Sequence, residues 1–151
     1  MSLSFEILKG KTFKEIEVIK DEDDYSYVIF TTNDNITYHL NHYYDCCELV
    51  MLEDINGDLN DLINSEIIMA ECVSNRDWLS ESGNEYRFNP HAGSQTWSFY
   101  KLTTTKGYVT IRFFGESNGN YSEEVELVIL SQKELDALRE QRYYSSQIYK
   151  G

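Results

Sequence analysis

TWSFYKLTTTKGYVTIRFFGESNGNYSEEVELVIL, residues Thr96–Leu130, carries the strongest secondary-structure signal in the chain. Thr96–Thr103 and Tyr108–Gly115 are rich in aromatic and β-branched side chains, which pack well on a pleated surface. Thr104–Gly107 joins them. Asn118-Gly119 is the best hairpin signal, because both residues accept the positive φ that a type I′ turn requires. It feeds a further strand, Glu123–Leu130. Downstream, Ser131 reads as an N-cap with Glu134 as its capping-box partner. Lys133–Tyr144 is then a helix with Leu135, Leu138 and Arg142 on its packed side.

Upstream, Phe13–Ile19 alternates apolar and polar residues, and Asp21–Asp24 makes an acidic turn. Tyr25–Thr32 and Ile36–Tyr43 are β-rich and joined by Asn33-Asp34-Asn35, a good hairpin turn. Cys46–Ile55 reads as a strand with Leu49, Met51 and Leu52 inward. In Gly57–Ser65 the residues Leu59, Leu62 and Ile63 share one face of a short helix, and Asp58 suits its N-cap. Glu66–Val73 is a strand of the buried type. Ser74–Ser94 is polar, holds the only proline, Pro90, and has the length of a functional or mobile loop. The expected fold is α+β: one domain over residues 1–151, with a largely antiparallel sheet, a short middle helix and a C-terminal helix.

Charge is distributed unevenly. Residues 1–75 carry 16 acids and 4 bases, so nearly all of the net −13 lies in the first half. No Lys or Arg stands between Lys20 and Arg76. Such a field repels nucleic acid and anionic membrane and attracts cations or basic protein surfaces. Aromatic content is 14%, with 12 Tyr, a residue that suits both strands and binding surfaces. Cys46, Cys47 and Cys72 make a poor disulfide framework, so reduced, buried thiols in a cytoplasmic protein are expected. No signal peptide and no membrane span are legible.

Four groups of residues invite a chemical role. His39, His42, Asp45, Cys46, Cys47 and Glu48 are metal-ligand types, but three-residue spacing along a strand sends His39 and His42 to opposite faces. Asp54–Asp61 opens like a calcium loop, yet Leu59 stands where the glycine belongs and Ser65 where the closing glutamate belongs. A structural turn is the expectation at both, with no metal and no cofactor. A Cys–His pairing has no local signature, and phosphate-binding loops and the nucleophile elbow are absent, so a non-catalytic role is expected. The fourth group joins Arg112 and the Glu116–Tyr121 turn to Trp97 and Tyr100. Arginine, aromatic and amide side chains together suit a planar, phosphate-bearing ligand.

The blocks DCCELVMLEDINGDLNDLINSEIIMAE (Asp45–Glu71) and TWSFYKLTTTKGYVTIRFFGESNGNYSEEV (Thr96–Val125) resemble a family of small domains of unknown function. Its members are common in tailed bacteriophages, prophages and related bacterial accessory genes. The resemblance covers about half of the chain. It implies a phage-encoded accessory protein in the bacterial cytoplasm that counteracts a host factor, and carries over no catalytic residue. Two roles follow as expectations. One is sequestration of a small nucleotide-like ligand by Asp45, Glu48, Trp97, Tyr100, Arg112, Glu116, Ser117, Asn118 and Tyr121, with a subunit interface as one setting. The other is docking on a basic host protein, in the manner of a DNA mimic, through Asp21, Glu22, Asp23, Asp24, Glu53, Asp54, Asp58 and Asp61. Neither role involves binding nucleic acid or a membrane.

Overall fold

The computed structural model describes residues 2–20, 25–77, 93–141 and 145–151. Among these are nine strands: β1 (Phe13–Lys20), β2 (Ser26–Thr32), β3 (Thr37–Asn41), β4 (Leu49–Asn56), β5 (Met69–Asp77), β6 (Ser94–Thr104), β7 (Gly107–Ser117), β8 (Glu126–Leu130) and β9 (Ser145–Lys150). They form two antiparallel sheets, a five-stranded one in the order β8-β3-β2-β1-β9 and a four-stranded one in the order β4-β7-β6-β5. Helix is sparse among the described residues. The middle helix is a single 3-10 turn, Leu59–Leu62, and the one α-helix described, α1, spans Gln132–Glu140. The fold is therefore mainly β, which corrects the α+β expectation; antiparallel pairing itself is as expected.

Alternation sorts the side chains. Ile16, Val18, Val28, Phe30, Tyr38 and Leu40 point from the five-stranded sheet to Leu52, Tyr100, Leu102, Val109, Ile111 and Phe113 of the other, in one shared core. The opposite face of the five-stranded sheet is also covered. There Ile19, Tyr27 and Ile29 pack under Leu135 of α1, with Leu130 and Leu138 alongside. Ser131 caps α1 with both hydrogen bonds of the capping box, as its sequence announces. No helix among the described residues packs on the outer face of the four-stranded sheet, where Met69, Val73 and Tyr108 stand exposed and Phe114 is buried.

Several expected boundaries shift. Ser74–Asp77 extend β5 and Ser94 opens β6, while residues 78–92 and Asp21–Asp24 lie outside the described residues. The helix expected to run to Tyr144 ends at Glu140, and β9 follows it; Arg142 also lies outside the described residues. Asn118-Gly119 does not make a hairpin. β7 belongs to the four-stranded sheet and β8 to the other, so the turn opens a crossover between sheets. Its bonds are local: Asn118 Oδ1 accepts from the Asn120 amide and Ser117 Oγ from the Gly119 amide. Asn33–Asn35 is a hairpin turn as expected, with Asn35 at φ 64°.

Candidate functional site

The chain changes sheets twice at one end of the sandwich, once through residues 42–48 and once through residues 118–125. His42, paired with buried Glu48 inside the first crossover, ties it to the second. Glu48 accepts from the amides of Asp45 and Cys46, each at 2.9 Å, and from His42 Nε2 at 2.8 Å. His42 Nδ1 lies 2.6 Å from the Glu124 carbonyl oxygen. That oxygen only accepts, so Nδ1 is the donor to it, and the ring lies between this carbonyl and the Glu48 carboxylate. Burial alone would raise the Glu48 pKa, but the two amides and His42 outweigh it and hold the carboxyl at about 2. Ser117 and Glu123 continue the network: Ser117 Oγ donates to Glu123 Oε2 at 2.6 Å, and Thr96 Oγ1 donates to Glu123 Oε1 at 2.7 Å. Of the expected ligand residues, Asp45, Glu48, Asn118 and Tyr121 thus lie in the crossovers and Ser117 ends β7 beside them, and Glu48 and Ser117 are engaged in bonds that hold these segments.

Trp97 and Tyr100 are three apart on β6 and face opposite ways. Tyr100 points inward, 5% exposed, and its hydroxyl donates to the Val125 carbonyl oxygen at 3.3 Å. Burial, helped by neighbouring Cys72, pushes its phenol far above the usual range. Tyr100, Cys72, Ser98, Tyr121 and Glu123 share a pocket of about 560 Å3, and among the described residues that line it there is no lysine or arginine.

Trp97 points outward. Strand register places Phe99 opposite Arg112, Lys101 opposite Thr110, and Trp97 opposite Phe114, with ring centroids of the last pair 5.1 Å apart. Glu116 lies on this face at its crossover end. Phe99, Lys101, Tyr108, Arg112 and Asp54 line a depression of about 510 Å3. Arg112 Nε sits 2.7 Å from Glu53 Oε1, while Asp54 stands 3.9 Å from Nη2, too far for a hydrogen bond. The guanidinium is thus anchored through Nε.

Among the other acidic candidates, Asp58 caps the 3-10 turn by accepting from the Asn60 amide at 2.9 Å, Asp54 is exposed and Asp61 is half-buried. The base-free stretch is thus partly spent on internal bonds at Glu48, Glu53 and Asp58. Cys46 and Cys47 are disulfide-bonded to each other, and Cys72 is an exposed thiol, contrary to three reduced and buried ones. Adjacent cysteines in the crossover hold their sulfurs side by side, and Cys72 sits on edge strand β5. No cluster of three or more His, Cys, Asp or Glu with metal-binding geometry occurs among the described residues. Nor is any helix among them long and apolar enough to cross a membrane.

A second pocket, of about 380 Å3, opens between β3 and α1 and was not anticipated. His39 and Asn41, two apart and so on one face of β3, line it together with Tyr25, Tyr43, Glu134 and Leu138. His39 is 3% exposed, and neither ring nitrogen has a hydrogen-bond partner; the Asn41 carbonyl oxygen has none either. Burial lowers the His39 pKa to about 4 against the pull of Glu134. The parity of 39 and 41 was the available signal, but what covers that face depends on α1, distant in sequence.

Fold and surfaces together define a small, mainly β protein of two stacked antiparallel sheets, with concave sites on both outer faces. The chain belongs to a family described as a domain of unknown function, DUF7448, whose model matches residues 6–127. The match reaches well upstream of the two motif blocks and takes in the N-terminal strands, but not α1 or β9. No curated protein and no solved structure matches the chain.

Proposed function

We propose that the chain is a non-catalytic binding protein that takes up a small nucleotide-like ligand on the outer face of its four-stranded sheet. One observation carries this reading: Trp97, Phe99 and Tyr108 share that face with Lys101 and Arg112. Flat rings offer stacking to a base and the cations offer hydrogen bonds to phosphate. The whole face lies inside the family match. The resemblance to phage and prophage accessory proteins adds a context, a bacterial cytoplasm in which removing a host nucleotide signal blunts defence. Calorimetric titration with mononucleotides and cyclic dinucleotides tests it. Trp97→Ala and Lys101→Ala should each weaken binding about tenfold or more, since base stacking alone contributes about 1–3 kcal/mol. Arg112→Ala is the poorer probe, because it also removes the ion pair with the buried Glu53 carboxylate. Absence of saturable binding, or equal affinity in both variants, ends the proposal.

The excess of acid in the first half favours a second reading, docking on a basic host protein. Capture of a host partner that survives unchanged from low to high salt would count against it.

A further inference from the structure

The pocket between β3 and α1 has a chemistry of its own. Two side chains more than nine-tenths buried aim unpartnered polar atoms at it: His39, through both ring nitrogens, and Asn41, through Oδ1. Asn41 Nδ2 already donates to the Tyr25 hydroxyl at 3.3 Å, which turns Oδ1 the other way. Glu134 contributes one carboxylate oxygen to the α1 cap, receiving the Ser131 amide on Oε1 at 3.0 Å. No hydrogen bond to its Oε2 occurs among the described residues. The walls are aromatic. Tyr27 stands edge-on to the His39 ring at 4.7 Å between centroids, and Tyr43 does so at 6.3 Å. Among the described residues that line the pocket there is a carboxylate but no lysine or arginine. Glu126 adds a further negative charge near Tyr43, whose phenol is pushed up by burial first, then by Glu126, Tyr25 and Glu134.

Buried polar groups without partners are uncommon, and each calls for a cause. A bound ligand that donates hydrogen bonds would supply the missing partners. The neutral imidazole offers one lone pair, Asn41 a carbonyl oxygen and Glu134 a full negative charge, so the matching group is a multiple donor with positive charge. Tyrosine faces attract such a group through their ring quadrupoles. The volume, about 380 Å3, is at the small end of ligand sites.

We propose that this pocket binds a small organic cation, an ammonium or guanidinium group on a short apolar stem, held by His39, Asn41 and Glu134 between Tyr25 and Tyr43. The half-exposed Tyr43 forms the outer wall, and rotation of its side chain opens the way to the imidazole. The site is separate from the sheet face proposed for a nucleotide, so either can fail without the other. The same group could arrive on a free amine or on a lysine or arginine side chain of a protein, and the test distinguishes them.

The full chain is titrated by calorimetry at low salt with agmatine, spermidine and tyramine, and with a short lysine- and arginine-rich peptide. The expected result is saturable binding of at least one free amine. His39→Phe and Glu134→Gln should each weaken it about ten- to hundredfold, the effect of one hydrogen bond to a charged group. His39→Phe keeps a ring of similar size at the site, so a preserved melting transition separates lost binding from lost fold. Binding of the peptide alone, abolished by the same variants, assigns the group to a partner's side chain. No saturable binding of any probe below about 10 mM, or binding unchanged in both variants, overturns the proposal; a dissociation constant near 1 mM already corresponds to only about 4 kcal/mol.

Discussion

His39 holds its imidazole at 3% exposure with neither nitrogen bonded, and this has a measurable consequence for stability. An unsatisfied buried polar group costs about 1–3 kcal/mol, and an apolar ring of the same shape would not carry that cost. His39→Phe is therefore expected to raise the unfolding free energy by up to about 1–3 kcal/mol, read by chemical denaturation. The pH dependence follows from the same burial. Folded His39 takes up its proton only at about 4, against an ordinary value of 6.5. Between these values the unfolded chain binds more protons than the folded one, so stability falls as pH drops from 6.5 towards 4. The Phe variant should lose that part of the slope. An unchanged slope in the variant, or a variant less stable than the parent at pH 7, would show that His39 is satisfied in solution. A site that trades stability for unpaired polar atoms is what a binding function demands.

At the scale of elements, the decisive contact is between two crossovers, and its weight can be measured. Glu48→Ala removes an acceptor shared by two backbone amides and leaves His42 without its carboxylate; losing one member of a buried pair costs about 3–5 kcal/mol. Because the folded Glu48 carboxyl sits at about 2 against 4.5, its contribution is present above pH 4.5 and is lost as pH falls from 4.5 towards 2. Acid unfolding of the parent but not of the variant should steepen in that window; superimposable profiles would refute the clamp. The sequence does not disclose this contact, because it joins residues 82 apart, His42 and Glu124. What it does disclose is local. β6 and β7 are legible from their alternation and aromatic content, and the α1 start from Ser131 and Glu134. β9 escapes because SSQIYK is short and mostly polar, as an edge strand can be, and the helical pattern before it reads four residues past the observed end at Glu140. Asn118-Gly119 states only that the chain turns, not which sheet receives it. Trp97 and Tyr100 looked like one site in sequence, but the twofold period of the strand puts them on opposite faces.

For the whole molecule the governing quantity is the net charge of −13. Some of its carboxylates have partners where they stand, Glu48 in His42 and Glu53 in Arg112, and the excess of acid over base repels itself across a protein only 151 residues long. Self-repulsion opposes the compact state, and at 0.1 M salt charges more than about 10 Å apart are largely screened. The thermal midpoint should therefore rise from 20 mM to 0.5 M sodium chloride, by about 2–4 °C for each kcal/mol recovered at this size. Cation uptake by the tyrosine-lined pocket should move the other way over the same range, since screening weakens the attraction of Glu134 and Glu126 for a positive ligand. Nucleotide binding on the outer face of the four-stranded sheet, approached against the overall field, should weaken less steeply, because screening also relieves that repulsion. A midpoint that stays level or falls with salt would mean that the surviving carboxylates are locally compensated, and the long-range field would then lose its claim to select cations over anions.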